Sequence, residues 1–278
     1  LLVRLICQRL DVSAWTTTLI CAVLLVFGSG WENILFGIQI TYNLSLLAFL
    51  AHVVLVDHDG PPDRRDAAGA VLSIIGVSSS GFGPFFILGI CVFLLLRRRW
   101  AAAAIATLPQ AVALGWWWLT WGADPAGEAA DSTIGTTVRF TKNGIYNTFG
   151  GMAGSLTLAG TAALIAIAVC LWPAVRWRRL TLLVSMWIVA IAMYAGVGLQ
   201  RSGFGTAAAE SRYQHIAAML LAPALALGLD QARRFAPWAR HVAHAVLVFA
   251  FVRNATFLSD YGGEWAERSG PRQQQIYQ

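Results

Sequence analysis

Charge is what this 278-residue sequence has least of: Asp, Glu, Lys and Arg make up 12% of it, about half of the roughly 25% usual in soluble domains. That shortage excludes an ordinary water-facing domain. Cysteine is also scarce. Cys7, Cys21, Cys91 and Cys170 lie in or beside apolar segments, and the absence of CxxC spacing excludes a disulfide framework or a thiolate metal site and leaves them as small buried hydrophobes. Neither a Walker loop nor a nucleotide-binding glycine fingerprint occurs, so nothing in the sequence suggests ATP-driven transport or nicotinamide chemistry. No signal peptide is visible and the chain begins at Leu1, so the expectation is a chain missing its N-terminal segment.

What is present is apolar surface: 57% hydrophobic residues, a mean hydropathy of +0.61 and 12 tryptophans, the last enriched where helices meet lipid headgroups. The expected fold class is all-α, a polytopic transmembrane helical bundle forming one domain over residues 1–278. About nine spans are expected, at a minimum near 17 apolar residues each, although some are short. They run over 12–28, 33–56, 67–80, 84–97, 101–120, 155–175, 180–199, 212–230 and 239–258. Arginines group at 64–65, 97–99, 176–179 and 233–240, and alternation of the spans puts all these groups on one side. By the positive-inside rule that side is cytoplasmic, so the +6 net charge reads as a membrane signature and not as a nucleic-acid interface. The expected location is the plasma membrane. The opposite side receives Ser29–Asn33, Ser78–Pro84, a loop over about 121–154, Gln200–Gln214 and a tail after about Ser259.

Ser29-x-x-Glu32 has the spacing of a capping box at the start of the second span, with Glu32 suited to the helix dipole, and Trp31 reads as an interfacial anchor. Glu32, Gln39 and Asn43 fall near one helical line, descending roughly 16 Å from the outer mouth. Polar groups at that depth avoid lipid, so interhelical hydrogen bonds or a cavity open to the outside are the two readings. SGFG occurs at Ser80–Gly83 and again at Ser202–Gly205, as ordinary turns or as anion-binding nests. In Arg201–His215, Arg201 and Arg212 have the geometry for phosphate, while Glu210 reads first as a neutralising partner. Arg212 and His215 share a face. The stretch VRFTKNGIYNTFGGM has apolar residues near helical spacing and suits an amphipathic helix on the membrane surface. His241-x-x-His244 lacks a third ligand nearby, so it reads as structural. The sequon at Asn254 falls within a span and is discounted.

At GWENILFGIQI, SSGFGPFFILGICVFLLLRRR and SRYQHIAAMLLAPALAL, the chain resembles uncharacterised bacterial polytopic membrane proteins similar in layout to glycosyltransferases of the C-type membrane fold. The resemblance covers most of the chain through spans and a few polar positions, without a catalytic signature. It implies an all-helical fold and use of polyprenyl-phosphate-linked sugars at the extracytoplasmic face. Such proteins usually place a catalytic Asp or Glu in the first outer loop, near the N-terminus, on a segment this chain is expected to have lost or never had. Within the sequence in hand, Glu32 is the candidate base. Arg201 and Arg212 would hold the lipid phosphate, and Asn33, Gln39, Asn43, Tyr213 and His215 would line the sugar or acceptor site. The expected partners are membrane lipid and the lipid-linked donor, with no nucleic acid, cofactor or metal. A transporter or flippase, or a non-catalytic membrane subunit, is the alternative, and broken spans in matching positions would favour transport.

Overall fold

A computed structural model describes residues 1–122, 132–172, 175–201, 207–234 and 236–276, with no strand among them. The helices are α1 (Leu2–Arg9), α2 (Ala14–Leu25), α3 (Trp31–Leu35), α4 (Ile40–Val56), α5 (Arg64–Ser79), α6 (Gly83–Leu96), α7 (Trp100–Trp117), α8 (Ile134–Ala153), α9 (Ala159–Cys170), α10 (Trp177–Arg201), α11 (Ser211–Gln231) and α12 (Ala239–Ile276). Local sequence sets several boundaries. After Val56, Gly60 takes φ +100° and Pro61–Pro62 cannot continue a helix. α5 then starts from a true capping box, in which Asp63 accepts from the backbone and Asp66 bonds back to the Asp63 N–H. Hydrogen bonds from Arg65 hold the Asp63 carboxyl at about 2, so it stays ionised until the pH falls that low. Pro84 opens α6, and Gly154, at φ +69°, closes α8 in the left-handed region.

Each of the nine expected segments holds a helix, but the expected count of nine spans does not stand. Among the described residues, four helical stretches are long and apolar enough to cross a membrane: Gly37–Val56, Trp100–Thr120, Trp177–Arg201 and Ala239–Glu267. There are six if each of two bent pairs is one span. The others fall short for visible reasons. α5 opens on Arg64, Arg65 and Asp66, α6 and α9 have 14 and 12 residues, and α11 begins with the polar run SRYQH. Long apolar helices of this kind fit a membrane protein.

Three further expectations change. The loop expected over 121–154 is helical from Ile134, and α8 does not lie on a surface: Phe140, Thr148, Phe149 and Met152 are buried, and Gly144 lets the helix close onto the Tyr194 ring of α10. The tail expected after Ser259 continues α12 to Ile276. The second span is not one continuous helix. Phe36 is extended, and a 3-10 turn at Gly37–Gln39 separates α3 from α4.

The arginine groups share one end of the bundle. Asp57 at the end of α4 binds Arg9 at 3.0 Å, Arg97 at 2.7 Å and Arg178 at 3.4 Å, while Arg178 also reaches Asp59 at 2.7 Å. Arg179 pairs with Asp11, two residues before Ser13, whose N–H donates to Asp230 near the end of α11. These contacts link the starts or ends of α1, α2, α4, α6, α10 and α11 at that end.

Candidate functional site

Away from the arginine end, α2 stops and the chain kinks by 45° into Gly28–Leu35. Gly28 is needed there, because a Cβ would strike Phe257 and the Asn254 carbonyl of α12. The expected capping box is not formed. The cap position of α3 is Gly30, with no side-chain cap, and the Glu32 N–H donates instead to Ser211 Oγ at 2.9 Å. Asn33 Nδ2 donates to the Arg212 carbonyl at 3.2 Å, and Asn43 Nδ2 to the Asn33 carbonyl at 2.7 Å. The break at Phe36 thus folds α3 back so that Asn33 and Asn43 meet, which a single straight helix would not permit.

Most of the predicted site residues are therefore neighbours. Glu32 is close enough for its charge to act on Arg212, and Arg201, exposed at the end of α10, acts likewise on Tyr213. Tyr213 is buried edge-on against Phe82, with ring centroids 6.1 Å apart, and its ring lies under the Arg212 guanidinium. His215 is buried, with Nδ1 facing Gly30. Gln39 is buried one turn above Asn43. Arg212 pairs with Glu210, the partner its sequence neighbourhood offered. Within this group Glu32 Oε2, Asn33 Oδ1, Gln39 Oε1, Arg212 Nε and His215 Nδ1 are buried without a hydrogen-bond partner, although buried polar atoms are ordinarily satisfied. The second SGFG copy, Ser202–Gly205, lies outside the described residues. The first, Ser80–Gly83, is the turn between α5 and α6, where the Gly83 N–H donates to the Ser80 carbonyl.

None of the predicted site residues lines the larger cavity nearby. That space, about 700 Å³, is bounded by Ser29 and Trp31, by Asn147 and the Gly150–Leu156 turn, by Ser211 and Gln214 of α11, and by Phe249, Arg253, Phe257 and Tyr261 of α12. Ser211 and Gln214 look into it, while their neighbours Arg212 and Tyr213 belong to the group behind. Both bends of the chain border it: the kink at Gly28, and the 114° turn between Ile134–Ala153 and Leu156–Cys170. Asn254, fully buried, clasps them together. Its Oδ1 accepts from the Gly28 N–H at 3.0 Å, and its Nδ2 donates to the Gly151 carbonyl at 2.9 Å. A polar pair inside an apolar run is the signal that marked Arg253 and Asn254 in the sequence, and reading Asn254 only as a sequon obscured it.

At the arginine end, His58, Asp63 and Asp66 bring three ligand atoms within 4.8 Å of one another. A guanidinium already occupies this cluster: Arg99 Nη2 lies 3.1 Å from Asp66 and 3.2 Å from His58 Nε2. The cluster reads as a charge network fastening α7 to α5. His244 shares a hydrogen bond with Thr16 at 3.2 Å, in keeping with a structural role. Compared with protein-family models, curated proteins and solved structures, the chain matches none.

Proposed function

We propose that the protein is a membrane-embedded, glycosyltransferase-like enzyme that acts on a polyprenyl-phosphate-linked sugar, in the plasma membrane with its arginine end in the cytoplasm. The five unpartnered polar atoms at the junction of α3, the Gly37–Gln39 turn and α11 carry this assignment, because they set an acid, a cation and amides in one place inside an apolar bundle. In the proposed reaction Glu32 takes the proton of the acceptor hydroxyl. The acceptor oxygen bonds to the anomeric carbon as the bond to the phosphate oxygen breaks, and the departing lipid phosphate is met by the free edge of Arg212, with Arg201 beside it. Asn33, Gln39, Asn43, Tyr213 and His215 would position sugar and acceptor.

Protein reconstituted in vesicles with a radiolabelled polyprenyl-phosphate sugar tests this. Transfer of label to a hydroxyl acceptor is expected for the parent. Glu32→Gln keeps the size and loses the basicity, so its turnover should fall by roughly 100-fold or more at unchanged expression. Full activity of that variant removes Glu32 from the reaction. A transporter or flippase is the second reading, favoured by the two bent helix pairs that face each other across the 700 Å³ cavity. Movement of the labelled lipid between leaflets without any transfer would select it.

A further inference from the structure

The cavity between the two bends has chemistry of its own. Arg253 lies inside the candidate span Ala239–Glu267, where a charged side chain by default marks a functional site. It lines the cavity, and among the described residues no carboxylate pairs with it. Among the described residues no carboxylate lines the cavity either. Its guanidinium rests over the Phe257 ring, 4.7 Å from the centroid, which steadies the group and leaves its N–H edges directed elsewhere. Asn147 and Ser29 supply further donors on the facing wall.

The walls are amphiphilic. Trp31 and Tyr261 stack at 5.2 Å with their planes 9° apart, and Leu156 and Phe249 on the rim are 57% and 47% exposed. The rim is therefore apolar. A cation without a carboxylate partner among the described residues, neutral donors around it and an apolar rim match an anion attached to a hydrocarbon chain. The volume, about 700 Å³, lies within the usual 300–1,000 Å³ of ligand pockets. The Asn254 clasp sets this volume, because it fixes the distance between the two bends on which Ser29 and Gly151 sit.

We propose that this cavity is a binding site for a phosphate-bearing amphiphile, with Arg253 holding the phosphate by paired N–H bonds. The site is separate from the Glu32–Arg212 group and does not depend on a transfer reaction. The purified parent in detergent is treated with an arginine-directed dicarbonyl reagent, and modification of Arg253 is followed by peptide mass spectrometry. The probes are phosphatidic acid, phosphatidylcholine and inorganic phosphate. Phosphatidic acid should slow modification of Arg253 about tenfold, as charge-assisted bonds imply, and leave the exposed Arg240 at the other end unaffected. Protection by inorganic phosphate to the same extent identifies the ligand as free phosphate. Protection by phosphatidic acid alone identifies a lipid headgroup. Equal modification with and without every probe overturns the site. Arg253→Gln should retain about tenfold less phosphatidic acid by native mass spectrometry, while Arg253→Lys retains an intermediate amount. Because the protection assay uses the parent protein, its result holds whether or not these variants fold. Glu32→Gln should show the parent's protection, so loss of the transfer reaction and loss of this site are told apart.

Discussion

Asn254 is the residue on which the packing around the cavity turns. Without its amide, the Gly28 N–H loses its partner inside the bundle, while the Gly151 carbonyl keeps the Gly154 N–H, and an unmet buried group costs roughly 1–3 kcal/mol. Asn254→Ala should therefore lower stability by roughly 1–3 kcal/mol, read as an earlier thermal transition in detergent. An unchanged transition would show that water replaces the amide at the Gly28 N–H. The Arg212–Glu210 pair is a different kind of contact. Both side chains are 27% exposed, so screening keeps the coupling near 1 kcal/mol. A double-mutant cycle with Arg212→Ala and Glu210→Ala should return about that value. A value near zero would mean that the pair adds nothing to folding and that Arg212 is held for another purpose.

At the scale of the helix, glycine decides how closely neighbours approach. A Cβ on Gly144 would overlap the Tyr194 ring, which is itself fully buried and hydrogen-bonded to Thr148 at 2.8 Å. Gly144→Ala should cost about 1–3 kcal/mol by overpacking the α8–α10 contact. Gly115 meets nothing within 4 Å, and there the higher helix propensity of alanine should be neutral or stabilising by up to about 1 kcal/mol. Paired melting curves of the two variants check the contrast. Equal shifts would mean that α8 does not press on α10 as described. The bends are also element-scale features: Gly28 and Gly154 permit them, and the packing against Ala250, Arg253 and Phe257 of α12, with the Asn254 hydrogen bonds, holds them in place.

Over the whole molecule, charge is segregated. Asp57 gathers Arg9, Arg97 and Arg178, and its side chain is 4% exposed beside an Arg97 that is 7% exposed. Removing one partner of a buried pair leaves the other uncompensated, so Asp57→Asn should destabilise by about 3 kcal/mol, seen as a lower melting temperature. Dense positive charge at one end also sets an orientation. With the native cysteines removed, Arg98→Cys and Arg178→Cys on intact cells should resist an impermeant maleimide, while a cysteine at position 210 should react. Labelling at 98 and 178 with none at 210 would invert the proposed topology.

Much of this was legible along the chain. Composition alone specified helices, because a sequence so poor in charge and so rich in apolar runs has its backbone groups satisfied within each segment. The arginine groups could be assigned to one end because successive helices alternate in direction, and that holds whether or not each helix is long enough to span. Polar residues inside apolar runs, such as Asn33, Asn43 and His215, pointed to where helices meet. What the sequence did not contain was rotation and bending. A helix that is apolar nearly all round carries no stripe to say which side packs inward, and adjacent residues point about 100° apart. Ser211 therefore faces the cavity while Arg212 belongs to the group behind it. The kinks at Gly28 and Phe36, the capture of Asp57 by three arginines and the pairing of two bends through Asn254 join residues up to 226 positions apart. Only the tertiary fold sets those partners, because they depend on which helices can approach closely.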